Sequence, residues 1–180
     1  MPEVMGPRVR GDDNEMESGM TRHVSFAPVV DARTRALILG SLPGTASLTA
    51  GQYYAHPQNA FWRLVGGAIG RDLVGLAYDD RLAALLGAGI GVWDVIASAR
   101  RDGSLDAAIR DAATHDLGGL IATLPRLRLV AFNGRTAAVI GSRALPPGVP
   151  HLTLPSSSAA YTLAFAAKTA AWAAIAPAIK

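Results

Sequence analysis

Four short apolar runs, at 36–39, 90–93, 127–132 and 151–154, alternate with longer stretches of helical spacing, and this alternation constrains the fold more than any other feature. Ala36-Leu37-Ile38-Leu39 is apolar on both sides of its pleat and stops at Gly40, the pattern of a strand buried on both faces. Helical spacing appears over 58–69, where Phe61, Leu64, Val65 and Ala68 share one stripe, and over 81–86, 117–124, 136–140 and 159–174. Strands alternating with helices predict an α/β fold, a three-layer αβα sandwich around a central, mainly parallel sheet. Ligand groups in such folds gather beyond the carboxyl ends of the strands.

A chain of 180 residues, half of them apolar, has matter for one core, expected over 24–180. Residues 1–23 mix Pro, Gly, Met and acids without a period and lack the basic start and apolar run of a signal peptide, so they read as a disordered leader. The apolar C-terminal stretch is mainly alanine and is interrupted by Lys168 and Pro177, too weak a signal for a membrane span. The absence of cysteine excludes a disulfide framework, a thiolate metal site and a cysteine nucleophile, and it suits the cytoplasm. Gly87-Ala88-Gly89-Ile90-Gly91 imitates a dinucleotide fingerprint but precedes a strand, where the fingerprint must follow one. No phosphate-binding GxxxxGK[ST] loop or GxSxG elbow occurs, and His23, His56, His115 and His151 lack metal-ligand spacing. Neither cofactor nor metal is expected.

The net charge is only +3, but Glu3, Asp12, Asp13, Glu15 and Glu17 crowd the leader, and no acid follows Asp116. Residues 117–180 carry Arg126, Arg128, Arg135, Arg143, Lys168 and Lys180 unopposed. A one-signed surface of this kind suits a polyanion, while an arginine-rich composition is also compatible with genomic base bias.

Two strand ends carry chemistry. Gly40-Ser41-Leu42-Pro43-Gly44 follows the first strand and leads into Gln52-Tyr53-Tyr54-Ala55-His56-Pro57-Gln58-Asn59-Ala60-Phe61-Trp62. The first string makes a tight turn with backbone amides available to a ligand, and the tyrosines offer flat faces for stacking or fill the core. Spacing alone gives Gln58 and Asn59 a capping role at the mouth of a helix. Ser156, Ser157 and Ser158 follow the last strand and are expected to open the last helix, where hydroxyls and unpaired amides accept a phosphate or supply a plain cap. Asp94 sits just past a strand end, either as a cap or as a ligand-reading carboxylate. Asn133, after another strand, either approaches the site or caps the helix after Gly134, and the cap is the favoured reading.

These strings, GSLPG, QYYAHPQNAFW and LPSSSAA in that order, resemble the two signature motifs of the uracil-DNA glycosylase superfamily. AHPQNAFW is similar to the AHPANRFW stretch of mismatch-specific uracil and thymine glycosylases. Together with GVWDVIASARRDGSLDAAIRD and FNGRTA, it most closely resembles the hypoxanthine-DNA glycosylase branch, over roughly residues 36–172. The resemblance implies an enzyme that flips a damaged nucleotide out of DNA, stacks its base on an aromatic ring and hydrolyses the N-glycosidic bond without a metal. Tyr54 matches the stacking aromatic, and Gly40, Ser41, Leu42, Pro43, Gly44 and His56 match the pocket lining. Asp94 matches the position of a base-reading asparagine. Ser156, Ser157 and Ser158 match the phosphate-pinching loop, and Arg135 and Lys168 are further candidate DNA contacts, with Arg100, Arg101 and Arg143 beside them.

Two departures change the expectation. Leu42 stands where relatives keep an acid or amide that positions water, and Thr153 and Leu154 stand where classical members keep a histidine. Both disfavour classical uracil excision and fit the branch in which the asparagine of the PQN string is catalytic, here Asn59. The implied partner is DNA containing deaminated bases, hypoxanthine first, bound by a monomer with no membrane association. The alternatives are a mismatch-specific uracil-DNA glycosylase and a non-catalytic damaged-DNA binding module.

Overall fold

The computed structural model describes residues 21–180. Of the leader expected over 1–23, residues 1–20 lie outside the described residues, and Arg22 and His23 belong to a first strand, β1 (Arg22–Val24). The central strand β2 (Ala36–Gly40) is buried along its whole length. It is flanked by β3 (Ile90–Asp94) and β6 (Leu129–Asn133), and β7 (His151–Leu154) extends the sheet beyond β6, all in parallel. Before β6 in the chain come β4 (Ile96–Arg100) and β5 (Arg110–Thr114). These two join β1 in a separate three-stranded antiparallel sheet in the order β1-β4-β5.

Seven short helices complete the chain: α1 (Thr45–Ala50), α2 (Phe61–Ile69), α3 (Tyr78–Gly87), α4 (Leu117–Ala122), α5 (Arg135–Gly141), α6 (Phe165–Trp172) and α7 (Ala176–Ile179) among the described residues. Period-2 alternation sorts the sheet into two cores. Ile38, Val92, Ala131 and Leu154 pack with Phe61, Leu64 and Val65 of α2, Leu85 of α3 and Trp172 of α6. Leu37, Leu39, Val130 and Phe132 face the other way, against Leu117 of α4 and Ala137 of α5. Helices therefore cover both faces of a parallel sheet, the three-layer α/β architecture expected from the apolar runs.

Register positions the site. Gly40 of β2 lies beside Asp94 of β3, and Asn133 of β6 lies beside Leu154 of β7, so the carboxyl ends of the four strands form one row. Val95 separates β3 from β4 and carries the chain from one sheet into the other, its N–H donating to Gly40 O (2.8 Å). The outer edge of β3 is covered by residues 25–30, with Val29 and Val92 exchanging both backbone bonds at 2.9 Å. That bridge pairs the middle of the outer β3 edge at Val92.

Four features differ from the sequence expectation. The helix expected over 58–69 begins at Phe61, because residues 56–59 form turns. The helix expected from 159 begins at Phe165, so Ser156–Ser158 do not open it. The antiparallel sheet was not expected, because β5 is fully exposed and its Arg-Asp-Ala-Ala-Thr sequence has no apolar alternation. Helix α1 has little apolar stripe and was likewise missed.

Candidate active site

Beyond the row of strand ends lies a cavity of about 470 Å³, within the range of small-molecule sites. Its lining includes the turn 40–44, Tyr53, Tyr54, His56, Gln58, Asn59, Asp94, residues 104–106, Asn133 and Ser156–Ser158. The two motif strings therefore converge on one site. At its floor a Cβ added to Gly40 would lie 2.6 Å from Asp94 Oδ1 and 3.0 Å from the Tyr54 hydroxyl. Only glycine lets the carboxylate and the phenol approach β2 this closely.

Tyr54 adopts a left-handed backbone (φ 54°), which costs a tyrosine on the order of 1–3 kcal/mol and persists only where the surroundings enforce it. Its ring stacks on Phe61 with centroids 3.7 Å apart and planes 9° off parallel. Phe61 is itself fixed edge-on by Trp62 and Trp172. Tyr53, expected as either a stacking face or core, is buried, as is Trp62, which was expected to be structural, and the Tyr53 hydroxyl donates to Ala27 O (3.1 Å). Burial, and then the charge of Asp94, raise the pKa of the Tyr54 phenol, so it stays protonated at neutral pH.

Asp94 ends β3 only 3% exposed. Its Oδ2 accepts a hydrogen bond from Ser25 Oγ (2.8 Å) and is no helix cap. Burial pushes its pKa up to about 7; the Ser25 bond and Arg101 oppose the shift, and Asp106 adds to it. A carboxyl poised near neutrality in a cleft is a mark of functional sites.

Asn133, expected as a cap, instead ties the motifs together. Its Nδ2 donates to the Tyr54 hydroxyl (3.2 Å) and to Ser157 Oγ (2.9 Å), and its Oδ1 accepts from Ser157 N–H (2.9 Å). Ser157 is buried, and its carbonyl accepts from Ala60 N–H (2.9 Å), beside the PQN string. Gly134, at φ 97°, packs against Ser156, where a Cβ would approach to 3.1 Å. Asn133 ends a strand just as Asp94 does, which had left an approach to the site open beside the cap.

The serine run differs from the anion cradle expected at a helix start. Ser156 Oγ accepts from Ser158 N–H, and Ser158 Oγ from Ala160 N–H (both 3.2 Å), while the loop is fastened by Trp172 Nε1 donating to Pro155 O (2.9 Å). Lys168, expected at the DNA surface, is buried. Its Nζ donates to Ser158 O (3.1 Å) and lies 5.3 Å from the Tyr161 ring centroid, so it braces the loop from beneath. Arg101 is also buried and is no surface cation. Arg135, the first residue of α5, is exposed and has no partner among the described residues.

Asn59 Oδ1 accepts from Phe61 N–H (3.0 Å), the local bond expected of a capping amide, yet the residue also lines the cavity. Exposed His56 sits at the mouth, its Nδ1 accepting from Gln58 N–H (3.2 Å). Leu42 is buried against Ile96 and Ala99 and offers no polar group.

Sequence reasoning assigned no role to the part of the cavity lining that Ser104, Leu105 and Asp106 supply. The Arg101 guanidinium donates to the carbonyls of Leu42, Pro43 and Gly103, and Ser104 Oγ accepts from Thr45 N–H (2.9 Å). Ser41 Oγ donates to Asp106 Oδ1 (2.7 Å). Among the described residues no cluster of His, Asp or Glu could hold a metal, and no helix is long and apolar enough to cross a membrane.

The sequence profile described as the uracil DNA glycosylase superfamily matches residues 27–176. A curated relative from Methanosarcina acetivorans named hypoxanthine DNA glycosylase is 45% identical over 135 residues, covering 75% of this chain and 85% of the relative. One of the same name from Methanosarcina barkeri is 40% identical over 148 residues, covering 82% and 94%. The solution NMR structure of a proposed uracil DNA glycosylase from Methanosarcina acetivorans superposes with a TM-score of 0.80 at 40% identity, covering 88% of this chain and 99% of that one. With a profile spanning most of its length and relatives this similar over most of theirs, the chain belongs to the uracil DNA glycosylase superfamily.

Proposed function

We propose that this chain is a monofunctional DNA glycosylase that excises deaminated bases, hypoxanthine first, and leaves an abasic site. The observation that carries the reading is the convergence of Tyr54, Asp94 and Asn59 on one cavity at the strand ends. The names of the 40–45% identical relatives support the choice of base. The enzyme acts as a monomer in the cytoplasm on DNA.

An extrahelical purine enters the cavity and stacks on Tyr54, whose ring Phe61 backs and whose hydroxyl Asn133 holds. Asp94, when ionised, accepts from N1–H of hypoxanthine, and an amide of the 40–44 turn donates to O6. Adenine presents no N1–H, so the same groups select the deaminated base. C1′ gains positive charge as the glycosidic bond stretches, and the site's negative charge favours that state over the ground state. Asn59 orients the water that attacks C1′, and the half-buried Ser156 and Ser158 of the serine loop and exposed Arg135 engage the flanking phosphates. Binding is then salt-sensitive.

The test is cleavage of matched duplexes carrying one hypoxanthine or one uracil, by wild type and Asn59→Ala, with hot alkali revealing abasic sites. Hypoxanthine-selective cleavage lost in Asn59→Ala is the expected result. Uracil-dominant cleavage moves the chain to the mismatch-specific branch, and intact strands with tight lesion binding make it a binding module.

A further inference from the structure

The first motif lacks its water-activating acid or amide, yet the cavity contains a second carboxylate, Asp106, to which the resemblance assigns no role. Asp106 reaches the site from the loop between β4 and β5, lines the cavity, and accepts the Ser41 hydroxyl at 2.7 Å through Oδ1. Its Oδ2 has no partner among the described residues. Ser41 immediately precedes Leu42, so the carboxylate is held within one residue of the vacancy in the motif.

The loop is built to keep it there. The buried Arg101 guanidinium binds the carbonyls of Leu42 and Pro43 on one side and Gly103 on the other, and Ser104 binds Thr45. Such a clamp spends a buried cation on fixing the distance between the turn and the loop carrying Asp106. A surface aspartate needs no such support.

Depth separates the two cavity carboxyls. Asp94 is 3% exposed at the floor, where the edge of an inserted base arrives, while Asp106 is only partly buried. A flipped nucleotide places its base deepest and its sugar nearer the mouth, so the shallower carboxylate lies at the level of C1′ and of incoming water. Asn59 cannot complete this task alone, because an amide orients water without taking its proton.

Resting on the glycosylase reading, we propose that Asp106 is the general base of this site, replacing from the β4–β5 loop the group that Leu42 cannot provide. Water oxygen bonds to C1′ as the C1′–N9 bond breaks with its electron pair going to the purine. The water proton passes to Asp106 Oδ2; Asp106 then gives it up to solvent, which restores the carboxylate, and the purine anion takes a proton from solvent.

The test uses the whole chain in single-turnover excision on whichever deaminated base the wild type releases, with lesion-duplex affinity and melting temperature measured in parallel. Asp106→Asn retains an acceptor for Ser41 and therefore that contact. The expected result is a fall in rate of about 100-fold or more, in the range of general-base losses, with lesion affinity held within about 3-fold. Asp106→Glu recovers part of that loss, and formate added to Asp106→Ala raises its rate, which a purely structural residue would not show. An Asp106→Asn rate within about 3-fold of wild type, or rate, affinity and melting temperature falling together without formate rescue, overturns the assignment. A wild type that releases no base at all overturns the glycosylase reading and this one with it; an active wild type with an indifferent Asp106 overturns this one alone.

Discussion

Replacing Asp94 by asparagine isolates the cost of a buried charge. The side chain is 3% exposed, its pKa rises from 3.8 to about 7, and burial is the largest cause. The sign follows from proton counting: between those values the folded state holds the proton and the unfolded state does not, so stability falls as pH rises. Above about pH 7 the charge is present in both states and the full penalty applies, about 4 kcal/mol for a shift of roughly three units. Between about pH 5 and pH 8 the difference amounts to roughly 2–3 kcal/mol. Asparagine keeps an oxygen for the Ser25 hydroxyl, which donates at 2.8 Å in the wild type, and removes the titration. Urea unfolding of both proteins, followed by tryptophan fluorescence, should find Asp94→Asn gaining on wild type by that 2–3 kcal/mol across the interval, an order-of-magnitude figure. A stability difference between the two that does not change with pH refutes the reasoning. The same variant tests recognition, since full activity with unchanged base preference removes Asp94 as the reader of N1–H.

Asn133→Ala strips the Tyr54 hydroxyl and the Ser157 N–H and Oγ of a partner, so urea unfolding should show a loss of about 1–3 kcal/mol, and lesion binding should weaken. Gly40→Ala forces a methyl into the space of Asp94 Oδ1 and the Tyr54 hydroxyl, so excision should fall below detection in the single-turnover assay. The salt dependence of DNA affinity should separate two cations grouped together by sequence. Arg135→Ala lowers the log–log slope by about 1, whereas buried Lys168→Ala leaves the slope unchanged and lowers the melting temperature. Equal slopes for wild type and Arg135→Ala would remove Arg135 from the interface.

Three of the four parallel strands were legible because each is a short apolar run ending in glycine or a polar residue, and parallel burial leaves that trace; β7, His-Leu-Thr-Leu, is an edge strand that shows only alternation. Register then carries Gly40, Asp94 and Asn133 to one end of the sheet, so a rule about strand ends located the cavity before any contact was known. The antiparallel sheet left no such trace. β5 is exposed throughout, and its place is set by long-range pairing with β4. With it went Asp106, whose partner Ser41 is 65 residues away. Asn133 was misassigned because a polar residue before Gly134 also fits a cap, and only the tertiary bonds to Tyr54 and Ser157 decide. Lys168 shows the opposite failure: charge counting treats every lysine as solvated, but this one is drawn inward by a backbone carbonyl and a tyrosine face.

The most direct test of the account is the chemical identity of what leaves the DNA. A hypoxanthine-containing duplex incubated with wild-type protein and analysed by mass spectrometry should yield free hypoxanthine and an abasic strand of otherwise intact length. Release of deoxyinosine or its nucleotide, strand cleavage without alkali, or no released base would contradict N-glycosidic hydrolysis at this site.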